Sequence, residues 1–171
     1  MNSVHLNNSE YPPFYSGYIK TLGAVDLIEV LSKSLDDLMQ TLKDLPEKKL
    51  LFRYDIGKWT IKELVQHIVD AERVLSYRAL CFARNDSTNL PSFNEDWYVE
   101  NSNANNRDFH ELLEEFTYLR ESNITLFSSF TTEMLETIGS LNEQDMSVRA
   151  LGFIIAGHQM HHLKIIKERY L

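Results

Sequence analysis

Three histidines carry the most specific chemistry available to this sequence. His158 and His162 stand four residues apart near the C-terminus. At about 100° per residue, that spacing puts both imidazoles on one face of a helix, one turn apart, where they can clamp a single cation. With Ile155 set to zero, the apolar residues Leu151, Ile154, Ile155, Ile165 and Ile166 average about 320°, and His158 and His162 fall at about 300° and 340°. They therefore straddle the buried face, whereas His161, at about 240°, is turned to its edge. A third imidazole, His67, lies on the apolar stripe of an earlier helix with Leu64, Ala71, Val74 and Leu75. Arg78 follows eleven residues later and returns to within about 20° of it. His5 and His110 lie outside both faces. Three histidines with an open fourth position make a catalytic type of divalent site. The spacing also admits three neutral core histidines, although that reading must find partners for several buried ring nitrogens.

The string His158-Gln159-Met160-His161-His162 has Gln where a zincin has its general-base Glu, so peptide hydrolysis by that route lacks its base. A metal-bound water or a substrate thiolate remains available as the nucleophile.

Helices are needed to position these groups. Between residues 24 and 45, apolar residues recur at Ala24, Leu27, Ile28, Leu31, Leu35, Leu38, Leu42 and Leu45, the seam of an amphipathic helix that Pro46 ends. Thr60 and Glu63 form a capping-box pattern, with Trp59 and Leu64 placed for a hydrophobic staple, and predict a second helix over residues 61–83. A third is signalled from Asp108 by Phe109, Leu112, Leu113, Phe116, Leu119, Leu126, Phe127 and Phe130, with the polar Asn123 on its seam. A fourth runs from Val148 to the C-terminus.

The long connection over residues 84–106 holds Pro91, Phe93, Trp97 and Tyr98, which suggest a short helical turn packed on the body. Its aromatic residues read as pocket wall or plain core. Residues 131–147 read as a weakly helical connector, and no segment reads convincingly as a strand. Tyr11-Pro12-Pro13-Phe14 is too Pro-rich to start a helix and predicts an extended arm within residues 1–20. The expectation is an all-α single domain over residues 1–171, a four-helix bundle with a long connection between its second and third helices. Bundles build sites in their cores. Arg78 and Asn123, polar on buried stripes, are therefore candidate substrate-pocket residues.

The composition narrows the classes further. Seventeen Lys and Arg against 25 Asp and Glu give a formal net charge of −8. No basic stripe is available to track phosphates, so nucleic acid is not an expected partner. No apolar run approaches the roughly 18 residues of a membrane span, and the N-terminus does not read as a secretory signal. A soluble cytoplasmic protein is the default expectation. The lone cysteine, Cys81, permits neither an internal disulfide nor a Cys-rich zinc site, so any metal site must rest on nitrogen.

Two strings resemble the DinB-like (DinB/YfiT) superfamily. Trp59-Thr60-Ile61-Lys62-Glu63-Leu64-Val65-Gln66-His67 is similar to the family's W-[ST]-x3-L-x2-H helix start, and Gly157-His158-Gln159-Met160-His161-His162 is similar to its C-terminal H-x3-H. The likeness spans nearly the whole chain beyond the arm. It implies a metal-binding four-helix bundle, often dimeric, with nickel or zinc held by the counterparts of His67, His158 and His162. It also implies reactions of small electrophiles with a low-molecular-weight thiol, or metal-dependent hydrolysis. The resulting expectation is an enzyme that activates a thiol or water at a divalent metal and acts on a small molecule as a homodimer. The alternative is a non-catalytic module with a structural or degenerate metal site that acts through dimerisation.

Overall fold

The computed structural model describes residues 2–3 and 6–171, so His5 lies outside the described residues. Four long helices form the body: α2 (Leu27–Leu42), α4 (Ile61–Ala83), α6 (Phe109–Ser128) and α8 (Val148–Arg169). Shorter helices are α1 (Ser16–Leu22), α3 (Glu47–Leu50), α5 (Glu95–Glu100) and α7 (Thr132–Glu136), and one hairpin pairs β1 (Ile138–Leu141) with β2 (Gln144–Ser147). No helix among the described residues is long and apolar enough to cross a membrane.

The helix starts are set by side chains that satisfy otherwise orphaned N–H groups. Asp26 accepts from the N–H groups of Ile28 and Glu29, which starts α2 at Leu27 instead of residue 24. Thr60 and Glu63 close the expected capping box at α4: the Glu63 N–H donates to Thr60 Oγ1 at 3.1 Å and the Thr60 N–H to Glu63 Oε2 at 2.7 Å. Asp108 and Ser147 cap α6 and α8.

Packing fixes an unusual order. α4 lies between α8 and α6, and α2 also lies between α8 and α6, so α2 faces α4 across one diagonal and α6 faces α8 across the other. Helices consecutive in the chain are thus diagonal at the first and last connections and adjacent across the longest one, between α4 and α6.

Three sequence expectations are corrected. Pro13 does not prevent helix formation: it begins a 3-10 turn (Pro13–Tyr15) that leads directly into α1, because a first-turn proline has no intrahelical N–H bond to lose. Part of the expected extended arm is therefore helical, and α1 packs on α8. Residues 131–147 are not a helical connector but α7 followed by the hairpin, whose turn places Asn142 and Glu143 at φ 49° and 63°. A two-residue turn with both φ values positive matches the right-handed twist of its strands. Trp97 and Tyr98 are exposed and form no core; Val99 and Ala104 anchor that connection instead.

Apolar residues bury themselves in two clusters, one around α1, the start of α2 and the first half of α8, the other at the opposite end of the bundle. Between them lies a polar layer. Arg120 (α6), with no exposed surface, donates from Nε and Nη2 to both oxygens of Glu72 (α4) at 2.8 and 2.6 Å. Its Nη1 donates to the Leu31 carbonyl and Ser34 Oγ of α2. Asn123 donates to Glu72, and Gln159 of α8 donates to the Ser34 carbonyl. Replacing one partner of a buried pair strands the other charge. Arg120→Met is expected to cost about 3–5 kcal/mol, measured as a shift in chemical unfolding followed by circular dichroism. The double variant Glu72→Leu/Arg120→Met should lose less than the single change.

Candidate metal centre

α4 and α8 are direct neighbours, and this contact brings together histidines 91 and 95 residues apart. His67 Nε2 stands 2.9 Å from His158 Nε2 and 3.2 Å from His162 Nε2, and the latter two are 3.0 Å apart. Nitrogens held about 2.0–2.1 Å from one ion would have separations close to these. His67 and His158 are buried and His162 is partly buried. No fourth His, Cys or carboxylate joins the cluster among the described residues.

The proton inventory tests whether a cation fits. Burial lowers His67 to about 4, against a weak opposing pull from Asp96. Burial, then the nearby His67 and His161, lowers His162 to about 3. Burial and its histidine neighbours hold His158 well below the usual range. All three rings are therefore neutral near pH 7. A neutral Nε2 is either a donor or an acceptor, never both. Three mutually facing Nε2 atoms cannot all be satisfied: one proton leaves two lone pairs opposed, two protons oppose each other, and none leaves three lone pairs converging. A cation at the convergence point resolves the conflict. His162 Nδ1 is buried without a hydrogen-bond partner among the described residues, so no hydrogen bond steadies this ring from behind.

Aromatic rings fix the imidazoles. Trp59 lies 4.8 Å, centroid to centroid, from His67, and Tyr18 meets His158 edge-on at 5.6 Å. Tyr18 reaches that position because Gly157 lets α1 approach closely; a Cβ there would strike the Tyr18 carbonyl. His161 is exposed and packs its ring against Tyr18 at 5.3 Å, outside the triangle. His110 is exposed near the start of α6. Gln159 points away toward α2, so the position that differs from the zincin pattern does not face the histidines.

The two candidate pocket residues part company. Asn123 is committed to Glu72 in the polar layer, because α6 lies diagonally across from α8, and it does not join the histidines. Arg78 lies on the histidine stripe of α4, within electrostatic reach of Tyr15 and Tyr98. The sequence reading missed Tyr15 and Tyr18, hidden in the supposed arm, and Glu95 and Asp96 on α5. Their one available signal was the Tyr15–Tyr18 spacing, which becomes helical once Pro13 is read as a helix start. Glu95 is raised by burial and then by Asp96.

The sequence signature of the DinB superfamily matches residues 31–166, a span that includes all three histidines. The chain belongs to the DinB superfamily. Among its DinB-like relatives, an Oceanobacillus iheyensis protein named "Putative metal-dependent hydrolase" is 26% identical over 133 residues, 76% of this chain and 75% of that protein. A Bacillus cereus protein of the same description is 24% identical over 162 residues, 92% of each chain. The solved structure of YfiT from Bacillus subtilis, described as "a probable metal-dependent hydrolase with an unusual four-helix bundle topology", superposes with a TM-score of 0.74 at 18% identity, covering 83% of this chain and 82% of that one. The overall fold of the chain thus agrees with that of a solved structure.

The depressed histidine values give stability a definite pH dependence in the metal-free protein. The unfolded chain takes up protons near pH 6.5, whereas the folded histidines refuse them until about pH 4 or lower. Stability is complete above about pH 6.5 and falls as pH drops below it, by about 1.4 kcal/mol per pH unit for each histidine. Urea midpoints between pH 7 and 4.5 should fall more steeply for the native chain than for His162→Ala.

Proposed function

We propose that this chain is a mononuclear metal enzyme in which His67, His158 and His162 hold one divalent ion, nickel or zinc. The reading rests on the convergence of three neutral Nε2 atoms that the protein cannot satisfy by itself, with three ligands supplied among the described residues. When bound, the ion supplies Lewis acidity and lowers the pKa of a nucleophile, thiol or water. The chain's own residues do the rest. Tyr18 and Trp59 hold His158 and His67 in place and exclude bulk water from the ring faces. Glu95 of α5, within electrostatic reach of Tyr15 and Tyr18, holds its proton more readily than a free carboxyl and is the candidate acceptor for the nucleophile's proton.

Imidazole is a ligand for both nickel and zinc. The names of the relatives favour hydrolysis, and a bound thiol would use the same three ligands for transfer to a small electrophile. A homodimer in the cytoplasm is part of the same proposal.

Purification without chelators followed by elemental analysis should give one metal per chain, and His162→Ala should lose it while keeping its helicity by circular dichroism. Parallel assays of ester hydrolysis and thiol transfer, with and without added nickel or zinc, should reveal a metal-dependent activity absent from His162→Ala. Full metal content in that variant, or turnover that ignores both metal and histidine changes, would refute the assignment.

A further inference from the structure

Among the described residues three arginines are buried: Arg78, Arg120 and Arg149. Two follow the rule that a buried charge must be paired. Arg120 grips both oxygens of Glu72, and Arg149 grips both oxygens of Glu10 at 2.6 Å. Arg78, only 4% exposed, breaks the rule. Its Nη2 donates to the Pro91 carbonyl at 2.6 Å and its guanidinium lies 5.8 Å from the centre of the Phe93 ring. Its other N–H groups meet no acceptor, and it joins no ion pair among the described residues. The groups that act on it electrostatically are the phenols Tyr15 and Tyr98, with no carboxylate among them.

The same residues connect Arg78 to the histidines. It shares the stripe of His67 on α4, where eleven residues bring the azimuth back to within about 20°. Tyr15, just before α1, lies within electrostatic reach of Arg78, its ring is 6.4 Å from that of Tyr18, and Tyr18 lies against His158. Glu95 and Asp96 of α5 are also near: Glu95 acts electrostatically on both tyrosines and Asp96 on His67. Helical rise separates the two α4 positions by about 16 Å, and long helical side chains lean back toward the N-terminus, so the guanidinium and the histidine nitrogens are on the order of 10 Å apart.

We propose that Arg78 is the anion subsite of the metal cleft and that the reacting small molecule carries a carboxylate at the end remote from its reactive group. A planar guanidinium backed by Phe93 offers the fork that matches a carboxylate, and a bound carboxylate supplies the counter-ion that the chain withholds. The subsite rests on the metal centre proposed above and selects the substrate class for it: elongated acids, in preference to their neutral amides.

The test uses ω-mercaptoalkanoates of increasing chain length, each beside its ω-mercaptoalkanamide, titrated into the cobalt(II)-loaded full chain. Thiolate-to-cobalt absorption reports binding, and elemental analysis reports metal content. The acid should bind about tenfold or more tighter than its amide, with the largest ratio at an intermediate length. Arg78→Gln should bring the ratio near one without loss of cobalt, and Arg78→Lys should retain part of it. Equal affinities of acid and amide at every length in the native chain would overturn the subsite and leave the metal centre standing. A native chain that takes no cobalt, or shows no thiolate band, would overturn the metal centre and the subsite together. An Arg78→Gln chain that melts earlier yet keeps the native ratio would reduce Arg78 to a tether for Pro91 and overturn the proposal.

Discussion

The Glu72–Arg120 pair sets the register of the bundle. Apolar seams slide past each other at modest cost, since one leucine contact replaces another, but a guanidinium with no exposed surface has one set of acceptors and no second choice. Through Arg120 the layer fastens α6 to Glu72 on α4 and to Ser34 on α2, and Gln159 ties α8 to the same turn of α2. Gln159 is the neighbour of His158, and Glu72 lies little more than a turn beyond His67. The axial alignment that lets the three imidazoles meet is therefore inherited from a layer that contains none of them.

A histidine cluster also explains why such a layer is worth its desolvation. Three lone pairs directed at one point repel, so the rings must be held from outside. Trp59, Tyr18 and the close approach at Gly157 do this on the faces of the rings, while the polar layer prevents the helices from shifting to relieve the conflict. The result is a preorganised ligand set: the reorganisation that an ion would otherwise have to drive is already met by packing.

What could be read from the sequence follows the range of the forces involved. The start of α4, the two histidine faces and the displacement of His161 depend on contacts within a turn or two, and Thr60, Glu63 and the wheel arithmetic display them directly. The hairpin was hidden because Asn142 and Glu143 adopt left-handed angles without a glycine between them, and because the glycine that does matter, Gly139, serves contact with Phe82. The partner of Asn123 depends on the diagonal helix order, which no periodicity encodes. Arg78 was visible as a polar residue on an apolar stripe. Its lack of a carboxylate partner is a fact of three dimensions.

The diagonal order also bears on how the chain reaches its native state. α8 alone carries two of the three ligands, but His67 must wait for residues 91 and 95 positions later, so no local segment holds the complete site. Closing so long a loop is among the late and entropically costly steps for a helical protein, which otherwise gains most of its contacts locally. An ion that requires all three nitrogens thus has little hold on the partly folded chain and acts chiefly after α8 has docked. Its stabilising effect would fall on the rate of unfolding, extending the lifetime of the native bundle rather than hastening its assembly.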